Sequence, residues 1–139
     1  MDLPESLSAR TSYLLGRAAA RLHALGLSDL EPLGITPREY SVLAVVAESS
    51  PLSQTSVAEI LGLDRTTILK VGASLERQRL LARDRDPNDK RAYAVALTPA
   101  GDRLRSQAFE LLVDCERRFL APLSRSERKQ LHQYLTKLV

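Results

Sequence analysis

The run from Leu52 to Leu97 constrains the fold more than any other part of the chain. It contains a short helical segment, a tight turn, a second helical segment and a polar turn between two strand-like segments. Ser53 is suited to cap the first helix, and Gly62 to end it in a left-handed conformation. Asp64 can cap the second helix, which leaves about three residues for the turn. This order predicts a helix-turn-helix followed by a β-hairpin.

The apolar residues predict one buried face on each of these two helices. On the first helix, the predicted inward residues are Val57, Ala58, Ile60 and Leu61. On the second, predicted over 65–79, they are Ile68, Val71, Ala73 and Leu75. The outward part of its first turns is polar, with Arg65, Thr66, Thr67 and Lys70. A recognition helix contacts DNA bases with such turns, although the same residues would also suit a well-capped, solvated helix start.

The hairpin carries cations on both sides of its predicted turn. The turn is predicted at Pro87-Asn88-Asp89, and the flanking cations are Arg83, Arg85, Lys90 and Arg91. The returning strand alternates, with Tyr93, Val95 and Leu97 on one side and Ala92, Ala94 and Ala96 on the other. A two-stranded ribbon with an arginine near its tip can enter a minor groove, where negative potential favours guanidinium.

The excess positive charge lies in this same region. Residues 64–91 hold eight Lys or Arg and five Asp or Glu, a net charge of +3. The whole chain has 20 basic and 17 acidic residues, which is also +3, so the remainder is balanced at 12 against 12. A DNA phosphate backbone would bind most favourably to this segment, which carries the excess positive charge.

Length and composition suit one ordinary globular domain of 139 residues. No apolar run approaches the roughly 20 residues needed to cross a membrane, and the first residues do not resemble an export signal. One cysteine cannot form an internal disulfide, which fits a cytoplasmic location. We find no metal-ligand spacing, phosphate loop or catalytic constellation. The expectation is therefore no cofactor, no metal, no membrane partner and no enzymatic activity, with Cys115 as a small core residue.

Further helices are predicted on both sides of the central run. One covers 6–30, capped by Ser6 or Ser8. The next begins at a capping box formed by Thr36 and Glu39. After the hairpin, Thr98 caps a helix with the apolar stripe Leu104, Ala108, Leu111, Leu112, Cys115 and Phe119. A last helix begins at a capping box of Ser124 and Glu127 and carries Leu131, Tyr134, Leu135 and Leu138. The outer helices either pack within one chain or form a dimer, which would supply two readers for a palindromic site.

Residues 33–48, 56–83 and 84–101 resemble the MarR (multiple antibiotic resistance regulator) family of winged helix-turn-helix transcription factors. The hairpin run DRDPNDKRAYAVALTPAG is the most specific part of this resemblance. The resemblance implies a single domain, 1–139, mainly α with a small antiparallel β wing. It divides into dimerisation helices at 6–31 and 99–139 and a winged helix-turn-helix core at 35–98. It also implies a short strand at Pro51-Leu52 that pairs with the wing.

The function implied by this resemblance is a homodimeric repressor that binds a pseudo-palindromic double-stranded operator and leaves it when a small aromatic or phenolic effector binds. The candidate DNA-binding residues are Ser53, Gln54, Thr55, Arg65, Thr66, Thr67, Lys70, Arg85, Asp89, Lys90 and Arg91. Asp89 is expected to hold Arg91 by a charge-assisted bond. Candidates for an effector cleft are Tyr13, Arg17, His23 and Tyr40, unless the tyrosines are packed aromatics and Arg17 pairs with an acid.

Two departures from the family pattern and two alternative functions stay open. Leu69 stands where a polar threonine is frequent on the family's recognition helix, a change that would alter which bases the helix contacts. Gly72 lies within a predicted helix, where it either permits close packing or weakens the helix by about 1 kcal/mol relative to alanine. The alternative functions are an oxidant-responsive regulator and a winged-helix protein-interaction module that no longer binds DNA.

Overall fold

The computed structural model describes residues 2–49, 51–86 and 89–139, with side chains described outside 86–92. The helices are α1 (Glu5–Ser8), α2 (Thr11–Leu30), α3 (Pro37–Ser49), α4 (Gln54–Leu61), α5 (Arg65–Arg77), α6 (Pro99–Phe119) and α7 (Arg125–Thr136), with one 3₁₀ turn at Glu31–Leu33. The strands are β1 (Leu52–Ser53), β2 (Leu81–Asp86) and β3 (Asp89–Leu97). The chain is therefore mainly helical with a small sheet, as predicted.

The three strands form one antiparallel sheet in the order β1-β3-β2. β2 and β3 pair from Leu81 opposite Leu97 to Asp86 opposite Asp89, with an irregularity after Arg85. On the other side of β3, Leu52 pairs with Val95. The predicted short strand thus exists, one residue later than the predicted Pro51-Leu52. Because β1 leads directly into α4, the sheet is joined to the helix-turn-helix.

The main core lies between α3, the α4–α5 pair and the sheet. Leu43, Val46, Val57, Leu75 and Val95 are almost completely buried there. The outer helix α6 joins the same cluster through Ala108. Within the described residues, none of the helices combines the length and the apolar character that crossing a membrane requires.

Three predicted helix starts are confirmed by their capping bonds. The amide of Thr36 donates to the Glu39 carboxylate at 2.9 Å, and the Glu39 amide donates to the Thr36 hydroxyl at 3.1 Å. Thr98 caps α6 by accepting from the Gly101 amide at 3.0 Å. The box of Ser124 and Glu127 at α7 is complete. These starts follow from local sequence, because each cap joins residues only three positions apart.

Two predicted helix boundaries were wrong. The helix predicted over 6–30 is divided at Arg10, whose extended backbone (φ −102°, ψ 114°) separates α1 from α2. Ser6 and Ser8 therefore lie inside α1 and cap nothing; Ser8 donates to the carbonyl of Glu5. The helix predicted over 65–79 ends at Arg77, because Arg79 adopts a left-handed conformation with φ 57°.

Two residues predicted to face the core do not. Ile60 is 59% exposed, and Ala73 is also exposed. At about 100° per residue, each lies about 100° or more from the centre of the buried face of its helix. Val57, Ala58, Ile68 and Leu75 are buried as predicted.

The junction between α5, β2 and α6 is tightly packed around Thr98. The Thr98 hydroxyl donates to the Arg79 carbonyl at 2.7 Å, and the Thr98 amide donates to the Leu80 carbonyl at 3.1 Å. A Cβ atom at Gly101 would lie 2.0 Å from that Leu80 oxygen, so only glycine fits this close approach. The start of α6 is thus attached to the base of the hairpin by backbone contacts.

Candidate nucleic-acid interface

Asp64 fixes the start of α5, the predicted recognition helix. One of its carboxylate oxygens accepts from the Thr67 amide at 2.7 Å, and the other accepts from the Thr67 hydroxyl at 3.0 Å. These donations hold the pKa of the Asp64 carboxyl below its ordinary value. Gly62 precedes this cap in a left-handed conformation, as predicted. The hydroxyl of Thr67, a predicted base contact, is therefore already committed to the cap.

The outward face of α5 carries the remaining predicted major-groove residues. Arg65, Thr66 and Lys70 are exposed, so the structure brings them together on one solvent-facing side. Leu69, Ala73 and Arg77 are also exposed on this helix, and none of them was among the predicted contacts. Their helical phase relative to buried Ile68 and Leu75 was the signal available in the sequence.

The start of α4 holds three further predicted DNA-binding residues, Ser53, Gln54 and Thr55. The Ser53 hydroxyl accepts from the Ser56 amide at 3.1 Å as the helix cap. The Gln54 side chain lies against Gly72 of α5, where an added Cβ would be 2.4 Å from the Gln54 Nε2 atom. Gly72 therefore leaves room for the end of the Gln54 side chain, which supports the interpretation that this glycine permits close packing. Thr55 is exposed on the same first turn.

The base of the hairpin is bonded to α5, the predicted recognition helix. The Arg83 guanidinium donates to one Glu76 carboxylate oxygen at 3.1 and 2.8 Å. The same guanidinium lies 5.5 Å from the centre of the Tyr93 ring, within the range of a cation–π contact. Such a half-exposed ion pair adds little stability, but it forms a direct side-chain contact between β2 and α5.

The tip of the hairpin holds the remaining predicted wing residues. Arg85 is exposed, and its amide donates to the Asp84 carboxylate at 2.7 Å. Asp89, Lys90 and Arg91 lie on β3, but their side chains fall outside the described part of the chain. The predicted bond between Asp89 and Arg91 and the predicted turn through Pro87 and Asn88 therefore fall outside it as well.

Two of the four candidate effector residues contact each other, and a third lines a cavity. Arg17 donates to the Tyr13 hydroxyl at 3.2 Å, whereas no ion pair between Arg17 and an acid occurs among the described side chains. His23 instead lines a cavity of about 230 Å³ whose other walls are Pro37, Arg38, Ser41, Leu61 and Leu63. Tyr40 is half-buried on α3, and burial raises the pKa of its hydroxyl.

Cys115 lies in the packing between α2 and α6. Its side chain is 1% exposed, which confirms the predicted core position. Burial, and next the carboxylate of Asp29, raise the pKa of this thiol above its usual value. Because the thiolate is the reactive form, this environment disfavours oxidation.

Comparison with known proteins places this geometry in a family. The MarR family model matches residues 33–92. The chain is 35% identical over 121 residues to a protein of Thauera aromatica named for transcriptional regulation of the hcr operon, covering 87% of this chain and 72% of that protein.

Two solved structures resemble the whole fold. The transcriptional repressor CouR, bound to a 23-mer DNA duplex, superposes with a TM-score of 0.91 at 29% identity, covering 99% of each chain. The regulator PcaV from Streptomyces coelicolor, in complex with its natural ligand, superposes with a TM-score of 0.83 at 28% identity, covering 99% of this chain and 96% of that one. With its helix-turn-helix and hairpin arranged as in these regulators, this chain belongs to the MarR family of winged helix-turn-helix proteins.

Proposed function

We propose that the protein is a transcriptional repressor that binds a specific double-stranded operator. The observation that carries this proposal is the exposed side of α5, where Arg65, Thr66 and Lys70 face solvent beside the start of the helix. Arg and Lys can contact guanine or phosphate, and the threonine methyl can contact a thymine methyl. CouR, which superposes over nearly the whole chain, is itself a repressor bound to a DNA duplex.

In this proposal, the wing supplies a second set of DNA contacts beside those of α5. Arg85 lies on a ribbon whose base is held against α5 by the ion pair of Arg83 and Glu76. Lys90 and Arg91 follow on the returning strand and would reach the minor groove or its phosphates. A fixed spacing between α5 and the ribbon favours one orientation on the duplex, because phosphate contacts set the register of a DNA-binding protein.

The outer helices support a homodimer. Large apolar side chains on α2, α6 and α7 are more than a third exposed: Leu14, Leu15, Leu25, Leu27, Phe109, Leu111, Val113, Tyr134 and Leu135. An exposed apolar surface of this kind is typical of a protein interface. We assign 6–31 and 99–139 to dimerisation and 35–98 to DNA binding. Two readers related by two-fold symmetry then fit a pseudo-palindromic operator.

Release by a small molecule fits the cavity beside α3. The cavity of about 230 Å³ at His23 and Arg38 opens to solvent and has both polar and apolar walls, which would suit a single-ring aromatic or phenolic acid. The guanidinium of Arg38, which lines the cavity beside His23, could donate to its carboxylate. PcaV, a relative of the same fold, is known with its natural ligand bound. The buried Cys115 thiol gives no support to oxidant sensing. The proposed site of action of the protein is the cytoplasm.

A salt titration of operator binding tests the function. Operator duplexes are first selected from a random pool, and affinity is then measured between 50 and about 200 mM salt. Lys70→Ala should lower affinity and reduce the slope of log affinity against log salt by about 1 per reader, because one phosphate contact is lost.

The matched control is Lys129→Ala, which removes an exposed lysine from α7 and should leave both quantities unchanged. Selection of no duplex at all would leave the protein-interaction module as the better explanation. Adding benzoate to the same titration probes release: a fall in operator affinity that His23→Ala abolishes supports the effector site, and an unchanged affinity with benzoate excludes this acid as an effector.

A further inference from the structure

The recognition helix exposes apolar side chains beside its polar ones. Leu69 is 45% exposed, and Ala73 is exposed one turn later. In a helical projection, Leu69, Ala73 and Thr66 fall within about 60° of one another, and Lys70 and Arg77 lie on one flank of that group. The outward face is therefore divided into an apolar strip and a basic edge.

Exposure alone does not give a leucine a role, since single apolar residues are common on protein surfaces. The position of Leu69 is what matters. Ile68 and Leu75 form the inward face of α5, and both are almost completely buried. Leu69 therefore adds nothing to this core, and it projects from the face that the proposed function directs into the major groove.

We propose that Leu69, with Ala73 beside it, is a specificity-determining residue that reads the C5-methyl group of thymine in the operator. The inference rests on the proposed DNA-binding function. In the major groove, thymine presents this methyl group, whereas cytosine presents an amino donor and guanine two acceptors. An aliphatic side chain packs favourably on the methyl group and cannot satisfy those polar edges once water is displaced. Lys70 and Arg77 would meet phosphates at the groove margin.

Replacing thymine by deoxyuridine tests this contact, because the change removes only the methyl group. In an operator selected from a random pool, each thymine is replaced in turn, symmetrically in both half-sites. The wild-type protein should lose about fourfold affinity per half-site at one position, the effect of burying one methyl group. Leu69→Ala should bind the thymine and deoxyuridine duplexes equally, within about twofold.

The variant should fold, since alanine is the best helix former and the position is exposed; a circular dichroism melt checks this. Ile60→Ala is the matched control, because it truncates a 59% exposed aliphatic residue on α4 and should retain the sensitivity to deoxyuridine.

Three results would overturn the inference, and they differ from one another. Wild-type affinity that is unchanged by deoxyuridine at every position would exclude methyl readout. Equal sensitivity in the wild type and Leu69→Ala would assign the methyl contact to another side chain. Failure to select any duplex would contradict the proposed function itself, and this inference with it.

Discussion

At the scale of the residue, Glu39 stands out because it is charged and yet buried, at 8% exposure. No other charged residue is buried in the described part of the chain. One carboxylate oxygen accepts from the Thr36 amide, and the other accepts from the Ser74 hydroxyl at 2.6 Å. Ser74 belongs to α5 and also accepts from the Gln78 amide group at 3.2 Å. The carboxylate that caps α3 thus also binds α5, the proposed recognition helix.

Ser74→Ala should lower the free energy of unfolding by about 1–3 kcal/mol, because it leaves one oxygen of a buried carboxylate without its donor. Urea unfolding at a fixed protein concentration measures the change. Ser41→Ala is the matched control, since the Ser41 hydroxyl only donates back to the Pro37 carbonyl within α3, and a value close to zero is expected. Equal losses in the two variants would show that the bond to Glu39 contributes nothing.

Sequence predicted one half of this cluster and not the other. The bond between Thr36 and Glu39 spans three residues and follows a local rule. The bond between Glu39 and Ser74 spans 35 residues, and no local pattern brings those two together. The same division applies to Gly72, whose close contact with Gln54 depends on how two helices pack.

At the scale of the element, the end of α5 determines where the wing begins. Arg79 has a positive φ of 57°, a conformation that costs a non-glycine residue about 1–2 kcal/mol. The Leu80 amide then donates to the Leu75 carbonyl at 2.9 Å, which closes the helix and directs the chain into β2. Arginine carries no sequence signal for this turn, and the predicted end therefore lay two residues too far along.

Arg79→Gly should raise the free energy of unfolding by about 0.5–1 kcal/mol, because glycine adopts this conformation without strain but loses more entropy on folding. Thermal and urea unfolding at a fixed protein concentration check the sign. Arg77→Gly, two residues earlier in the last turn of α5, should lower it by about 1 kcal/mol. Destabilisation by both glycines would mean that Arg79 is not strained.

The capping box of α7 makes this helix sensitive to acid. The Ser124 amide, and next its hydroxyl, hold the pKa of Glu127 below its ordinary value. A carboxyl whose pKa is lower in the folded than in the unfolded protein stabilises the fold above the unfolded value, and this contribution is lost as pH falls through the folded value.

The free energy of unfolding should therefore fall less between about pH 6 and about pH 3 in Glu127→Gln than in the wild type. The glutamine amide can still accept the bond but does not titrate in this range. Urea midpoints at the two pH values measure the difference. Glu110→Gln, which neutralises an exposed carboxylate on α6, controls for the change in net charge. An acid response identical to that of the wild type would remove Glu127 from the explanation.

At the scale of the whole molecule, the outer helices leave an apolar groove uncovered in one protomer. Leu15 and Leu22 of α2, Phe119 of α6 and Leu131 and Leu135 of α7 line a cavity of about 320 Å³. Sequence predicted these helices from their apolar spacing, but that spacing does not distinguish packing within a chain from packing between chains. Membership of the MarR family favours the second.

Leu135→Asp should weaken the dimer by at least about 30-fold, because a charge replaces an apolar side chain worth about 2–3 kcal/mol at the interface. Sedimentation equilibrium over a range of protein concentrations measures the dissociation constant. Gln133→Asp, an exposed position on the same helix, introduces the same charge and should leave the dimer intact. A Leu135→Asp protein that remains dimeric would move the interface away from this groove.

The contacts around Thr98 limit where the length of this protein can vary. One hydroxyl bonds at once to the chain leaving α5 and to the first turn of α6, so an added or deleted residue at 79–81 or at 97–101 would displace several backbone bonds together. Insertions should instead be tolerated at the hairpin tip and at the chain ends. Homologues that differ in operator spacing would then be expected to differ in the lengths of their outer helices, while this junction keeps a constant number of residues.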